Sequence, residues 1–101
     1  MESIGEIIRR LREKKGEPLR KVAAYLDVDQ AVLSKVERGQ RKVTKEHVEK
    51  LAKYFGADKK EMLVAYLSDR ILYEIEGEKL AKEALKVAEE KIEYISKNKK
   101  E

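Results

Sequence analysis

The chain has 101 residues, with 24 Lys/Arg against 20 Asp/Glu and 44% charged residues overall. That length supports one modest hydrophobic core rather than two independent ones. The absence of cysteine excludes a disulfide framework and a thiolate metal site. No run approaches the roughly 18 apolar residues of a membrane span, and Met1-Glu2-Ser3-Ile4 has no apolar signal region, so a soluble cytoplasmic protein is expected. Charge is unevenly spread. Residues 1–56 hold 14 Lys/Arg and 9 Asp/Glu, a net of +5, whereas residues 57–101 hold 10 and 11, a net of −1. A basic half joined to a near-neutral half points to a polyanion-binding module with an appendage.

Taken in chain order, the pattern predicts helices throughout. Ser3 and Glu6 have the spacing of a capping box, and Ile4, Ile7, Ile8 and Leu11 follow at helical intervals, predicting a first helix from about Ile4 to Lys15. Gly16 is placed to stop it, and Pro18 to occupy the first position of a second helix with Leu19, Val22, Ala23 and Leu26 on its apolar face. Asp29 is a good N-cap for a short third helix that buries Leu33 and Val36 and ends at Gly39. Thr44 caps a fourth helix with Val48, Leu51, Ala52 and Phe55 inward. Asp58 with Glu61 opens a fifth helix through about Glu74, Gly77 breaks it, and a sixth carries Leu80, Ala84, Leu85, Ala88, Ile92 and Ile95.

Residues 18–39 carry the functional signal. Two short helices joined by a three- or four-residue turn, with small Ala23 where they cross and Val28 plugging the turn, are what a helix-turn-helix requires. With Leu33 and Val36 inward, helical geometry leaves Gln30, Ala31, Ser34, Lys35 and Arg38 on or beside the open face. Gln pairs with adenine, Lys with guanine acceptors, and Ala contacts a thymine methyl. Arg38, Gln40, Arg41 and Lys42, with Ser34, are placed for phosphates, which set register without reading sequence.

The runs Arg9-Arg10-Leu11-Arg12-Glu13-Lys14-Lys15-Gly16, Val22-Ala23-Ala24-Tyr25-Leu26 and Leu33-Ser34-Lys35-Val36-Glu37-Arg38-Gly39-Gln40-Arg41 resemble the Xre family of Cro- and repressor-type helix-turn-helix domains. The segment from Val48 to Gly56 is similar to that family's next helix. The resemblance spans about residues 3–63. It implies a bacterial, DNA-associated regulator that binds a two-fold operator as a homodimer. It also implies Gln30, Ala31 and Lys35 at the base-reading positions, and a salt bridge between Arg12 and Glu37 that ties the first helix to the recognition helix. The sequence departs from the family where Asp27 replaces the turn glycine, and where Glu17-Pro18-Leu19 replaces the usual opening of the second helix. Leu19 cannot grip a phosphate as the family's Gln does, so Arg20 or Lys21 is expected to compensate.

The expected architecture is all-α: a repressor-like DNA-binding domain of five helices, extended by a long C-terminal helix for dimerisation. Residues 1–57 are assigned to DNA binding and 58–101 to the helical extension. The extension holds more apolar surface than a 60-residue domain can cover. The resemblance to restriction–modification controller proteins, some of which carry extra C-terminal helices, places dimer contacts there. Leu67, Ile71, Leu72, Ile75, Leu85 and Ile92 are the candidates. An antitoxin-like adaptor, whose C-terminal helices bind a different protein while the same N-terminal domain autoregulates, is the alternative. An enzyme is disfavoured. The single histidine, His47, lies in an amphipathic helix without cysteine or an opposing base, and the Glu74/Glu76/Glu78 and Glu89-Glu90 clusters read as solvated faces. No metal or cofactor is expected. The five tyrosines border apolar stripes as packing residues, which favours duplex DNA over a single-strand stacking platform.

Overall fold

Ser3 starts the first helix by a reciprocal pair of bonds. Its hydroxyl accepts from the Glu6 backbone at 3.2 Å, and the Glu6 carboxylate accepts from the Ser3 backbone at 2.9 Å. That second bond, before all other causes, holds the Glu6 carboxyl below its ordinary value. Its contribution is therefore present above the unfolded-state value and fades as pH falls through the folded one.

The computed structural model describes residues 1–99. Its six helices are α1 (Ile4–Lys15), α2 (Leu19–Leu26), α3 (Gln30–Glu37), α4 (Lys45–Phe55), α5 (Lys59–Ile75) and α6 (Ala81–Asn98). The fold is all-α. Pro18 stands one residue outside α2, as its N-cap, with extended geometry at φ −75° and ψ 154°. Proline's fixed φ suits that position as well as the first helical one, and its carbonyl accepts from Lys21 at 3.1 Å. Asp29 has the extended backbone of an N-cap, but its side chain makes no capping bond. Thr44 and Asp58 do cap, each accepting at 3.1 Å from the backbone three residues on. Leu80 falls at the N-cap of α6 rather than inside it.

The chain divides into two compact units, Met1–Arg70 and Ile71–Glu101, with the division inside α5. The first unit owns the core. Ile4, Ile7 and Ile8 of α1, Val22, Ala23 and Leu26 of α2, Leu33 and Val36 of α3, and Val48, Leu51 and Ala52 of α4 are buried together with Val43. Met62 and Tyr66 join them, so the first half of α5 helps close this core and the unit reaches past residue 57. Each fully buried Ile, Leu or Val contributes roughly 1.5–3 kcal/mol, which is what holds the eight-residue helices α2 and α3, too short to persist alone. The N-terminal backbone of α1 is also tied to α5, where Asp69 accepts from the Ile4 amide at 2.8 Å. In the second unit, α6 buries no residue.

The turn between α2 and α3 pivots on Asp27, in the left-handed conformation at φ 57° and ψ 45°. Its amide satisfies the end of α2 by bonding toward Ala23 and Ala24, but an L-residue pays for this φ where glycine does not. Asp27→Gly is expected to stabilise the protein by about 0.5–1 kcal/mol, net of glycine's greater unfolded-state freedom, whereas Asp27→Ala lowers stability. Thermal unfolding of both variants checks the sign.

Candidate nucleic-acid interface

The face of α3 is set by what its opposite side buries. Leu33 and Val36 point into the core, at 1% and 6% exposure, and Gln30, Ala31 and Lys35 are exposed as a consequence. Ser34 is half-buried, and its carbonyl accepts from both the Arg38 backbone at 3.2 Å and the Arg38 Nε at 3.3 Å. Arg38, the C-cap of α3, is thereby folded back along that helix and remains exposed. After α3 the chain turns through Gly39 at φ 74°, closed by Gly39 N–H to Val36 O at 3.1 Å and Gln40 N–H to Lys35 O at 2.8 Å. This doubly bonded stop needs a left-handed residue at Gly39, and it delivers Gln40, Arg41 and Lys42 exposed directly after α3.

Two contacts from α1 fix the far end of α3. Arg12 grips Glu37 with a two-pronged fork, Nε to Oε2 at 2.7 Å and Nη2 to Oε1 at 3.0 Å, and its Nη1 donates to the Glu17 carbonyl at 2.9 Å. Glu37 is nearly inaccessible, its side chain 4% exposed against 13% for Arg12. Hydrogen bonding to Glu37 is the leading cause that raises the Arg12 guanidinium above its ordinary value. Gly5 supplies the second contact. A Cβ there would stand 2.3 Å from the Val36 carbonyl oxygen and 3.0 Å from that of Glu37, so α1 passes the end of α3 backbone against backbone. The signal for Gly5 was present in the sequence: a glycine inside an otherwise apolar helical stripe costs helix stability and marks a close approach.

At the start of α2, Leu19 is half-buried against the core, while Arg20 and Lys21 are exposed. Lys21 lies 3.3 Å from Glu17 Oε2, an oxygen with no hydrogen bond among the described residues. The carboxylate thus neutralises part of the charge that the basic α2 start presents, a feature that helical periodicity does not reveal because Glu17 precedes the helix. Leu67, Ile71, Leu72, Leu85 and Ile92 are all exposed, at 44–64%, and Ile75 is half-buried. No group of His, Asp or Glu among the described residues is arranged to hold a metal, and no helix is long and apolar enough to cross a membrane.

Two short helices crossing at Ala23, a three-residue connection from Asp27 to Asp29, and a solvent-facing second helix pinned from behind define a helix-turn-helix. The helix-turn-helix family HTH_3 matches residues 8–61, more than half of the chain. The chain belongs to this Xre-type family of DNA-binding transcriptional regulators. Among solved structures it is similar to the clp gene regulator ClgR from C. glutamicum, at 29% identity and a TM-score of 0.54, over 65% of this chain and 86% of that one. No curated protein matches.

Proposed function

We propose that this regulator acts as a homodimer on a two-fold duplex operator in the bacterial cytoplasm, repressing or controlling transcription. In this reading Gln30, Ala31 and Lys35 read base edges in the major groove. Arg20, Lys21, Ser34, Arg38, Gln40, Arg41 and Lys42 hold the phosphate backbone. The observation that carries it is the pinned α3, whose outer face offers a donor–acceptor amide, a methyl and an ammonium together, with cations at the helix end that follows. Residues 1–57 supply the DNA-binding elements. Residues 58–101 complete the core through Met62 and Tyr66 and carry the proposed dimer contacts at Leu67, Ile71, Leu72, Ile75, Leu85 and Ile92.

The case for a second copy is energetic. One helix-turn-helix makes too few contacts for tight specific binding, and two recognition helices about 34 Å apart read both halves of an operator. The exposed Ile71, Leu72, Leu85 and Ile92 are apolar surface whose burial a symmetric partner provides. Ile71→Asp is therefore expected to give a monomer that binds the operator on the order of 10²-fold more weakly, with Tm of the first unit little changed. Sedimentation of the parent and variant, with operator titrations, checks this. A monomeric parent contradicts the dimer and turns the α5–α6 surface toward the antitoxin-like reading, in which a different protein covers it.

A further inference from the structure

The side of the first unit formed by α2, α4 and the start of α5 carries surface residues to which the DNA reading gives no role. An open groove of about 790 Å³ is lined there by Tyr25, Glu49, Lys50, Lys53 and Lys59, among others. Glu49 and Lys59 neutralise each other at 3.2 Å, whereas Lys50 and Lys53 have no carboxylate partner among the described residues. Lys15 lies 4.6 Å from the centre of the Tyr54 ring and donates to the Tyr54 carbonyl at 2.9 Å.

The groove's Tyr25 packs in a row with two further rings. The Tyr25 and Tyr54 rings lie 4.5 Å apart at 42°, and Phe55 meets Tyr54 edge-on at 5.2 Å. The Tyr25 hydroxyl donates to the Lys50 carbonyl at 3.3 Å, yet Tyr25 remains 41% exposed. A tyrosine held in place but open to solvent offers a large contact at little cost in side-chain entropy, which is the character of an interface anchor. The stack was not visible in the sequence as a unit, since Tyr25 and Tyr54 are separated by the whole of α3.

We propose that this groove docks an acidic segment of a partner protein, with an apolar side chain laid on Tyr25 and carboxylates on Lys50 and Lys53. Charge complementarity selects an anionic occupant, and the exposed Tyr25 ring selects one with an apolar anchor in place of a bare phosphate chain. None of the residues lining the groove belongs to α3, the helix assigned to base reading, although Lys21, assigned to the backbone, lies one turn of α2 and about 40° around it from Tyr25. Tyr25 lies about 140° around α2 from Arg20, and Lys53 lies roughly 13 Å along α4 from its Thr44 end. Docking is compatible with DNA on α3. Only this last point rests on the proposed DNA reading.

The test uses the full-length chain, labelled with ¹⁵N, and a short synthetic peptide of alternating Asp and Glu with one central Trp. Saturable amide shifts are expected at Tyr25, Lys50, Lys53 and Gly56, and they persist with saturating duplex DNA. The Lys50→Gln/Lys53→Gln variant, which alters exposed side chains only, is expected to bind the peptide roughly tenfold more weakly at unchanged Tm, as is the parent with a Trp→Ser peptide. Three results overturn the proposal: equal affinity for the parent and the double variant, shifts confined to Gln30, Ala31 and Lys35, or displacement of the peptide by duplex DNA. Shifts at the groove that grow with protein concentration alone assign it to a second copy and overturn it too. Absence of duplex binding, by contrast, bears on the DNA reading and leaves the peptide titration to be read by itself.

Discussion

Arg12→Ala is expected to lower stability by roughly 3–5 kcal/mol, a fall in Tm of at least about 12 °C, before any base contact is lost. The large effect comes from what is left behind. Glu37 stays buried at 4% side-chain exposure, stripped of both prongs of the guanidinium fork, and the Glu17 carbonyl loses the bond from Nη1. A lysine at position 12 restores the charge but not the fork, so Arg12→Lys falls between parent and alanine variant. If the desolvated carboxylate is the cause, Arg12→Met/Glu37→Leu recovers most of the loss, because neither charge is then buried. The clamp is insensitive to ordinary alkalinity. The Arg12 value is raised in the folded state, so its contribution is complete below the unfolded-state value and lost only as pH rises through the folded one. Thermal unfolding of the variants measures all of this. An Arg12→Ala protein with the parent's Tm and no DNA binding would falsify the structural role and make Arg12 a DNA contact.

Gly5→Ala tests the same end of α3 from the other side, and here the sign itself is diagnostic. Helix propensity alone favours alanine over glycine inside α1 by about 0.5–1 kcal/mol. The close approach opposes it: the new Cβ meets two carbonyl oxygens and a carbonyl carbon of Val36 and Glu37, at 2.3, 3.0 and 3.2 Å, and backbone cannot rotate out of the way. Overpacking of this kind costs about 1–3 kcal/mol, so a net loss is expected, with a weaker operator complex because α3 is pushed off its seat. Calorimetry with parallel DNA titrations decides. A Gly5→Ala variant more stable than its parent would show that α1 and α3 can separate freely.

Much of this architecture was legible from local pattern. Helix α1 runs between a cap and a stop that both lie within the segment, Ser3 and Gly16, and its buried Ile4, Ile7 and Ile8 are spaced to be read as one face. The helix-turn-helix was legible for the same reason: Ala23, Leu33 and Val36 are recognisable by size and interval, and Asp27 by its tolerance of a left-handed φ. Contacts between segments far apart in sequence leave no periodic trace. The Asp69 carboxylate that holds the Ile4 amide is 65 residues away, and the Lys15 ammonium reaches a carbonyl 39 residues on. Tyr66 likewise borders a stripe that stays exposed at Leu67 and Ile71, yet it is itself part of the core. Periodicity gives the face of α5 but not where along its length the core ends. For the interface, residue type and spacing placed Gln30, Ala31 and Lys35 on one face, but the carboxylate of Glu17 beside Lys21 depends on a side chain folding back from outside the helix.

The central claim is sequence-specific reading of duplex DNA by a two-fold pair of α3 helices. It is tested most directly by selecting bound duplexes from a random pool, with the parent protein, at several salt concentrations. The expected result is a consensus with two-fold symmetry, half-sites about one helical turn apart, and a log–log salt slope of several units from the phosphate contacts. Binding that enriches no sequence, or that enriches a single half-site without its mate, contradicts the account.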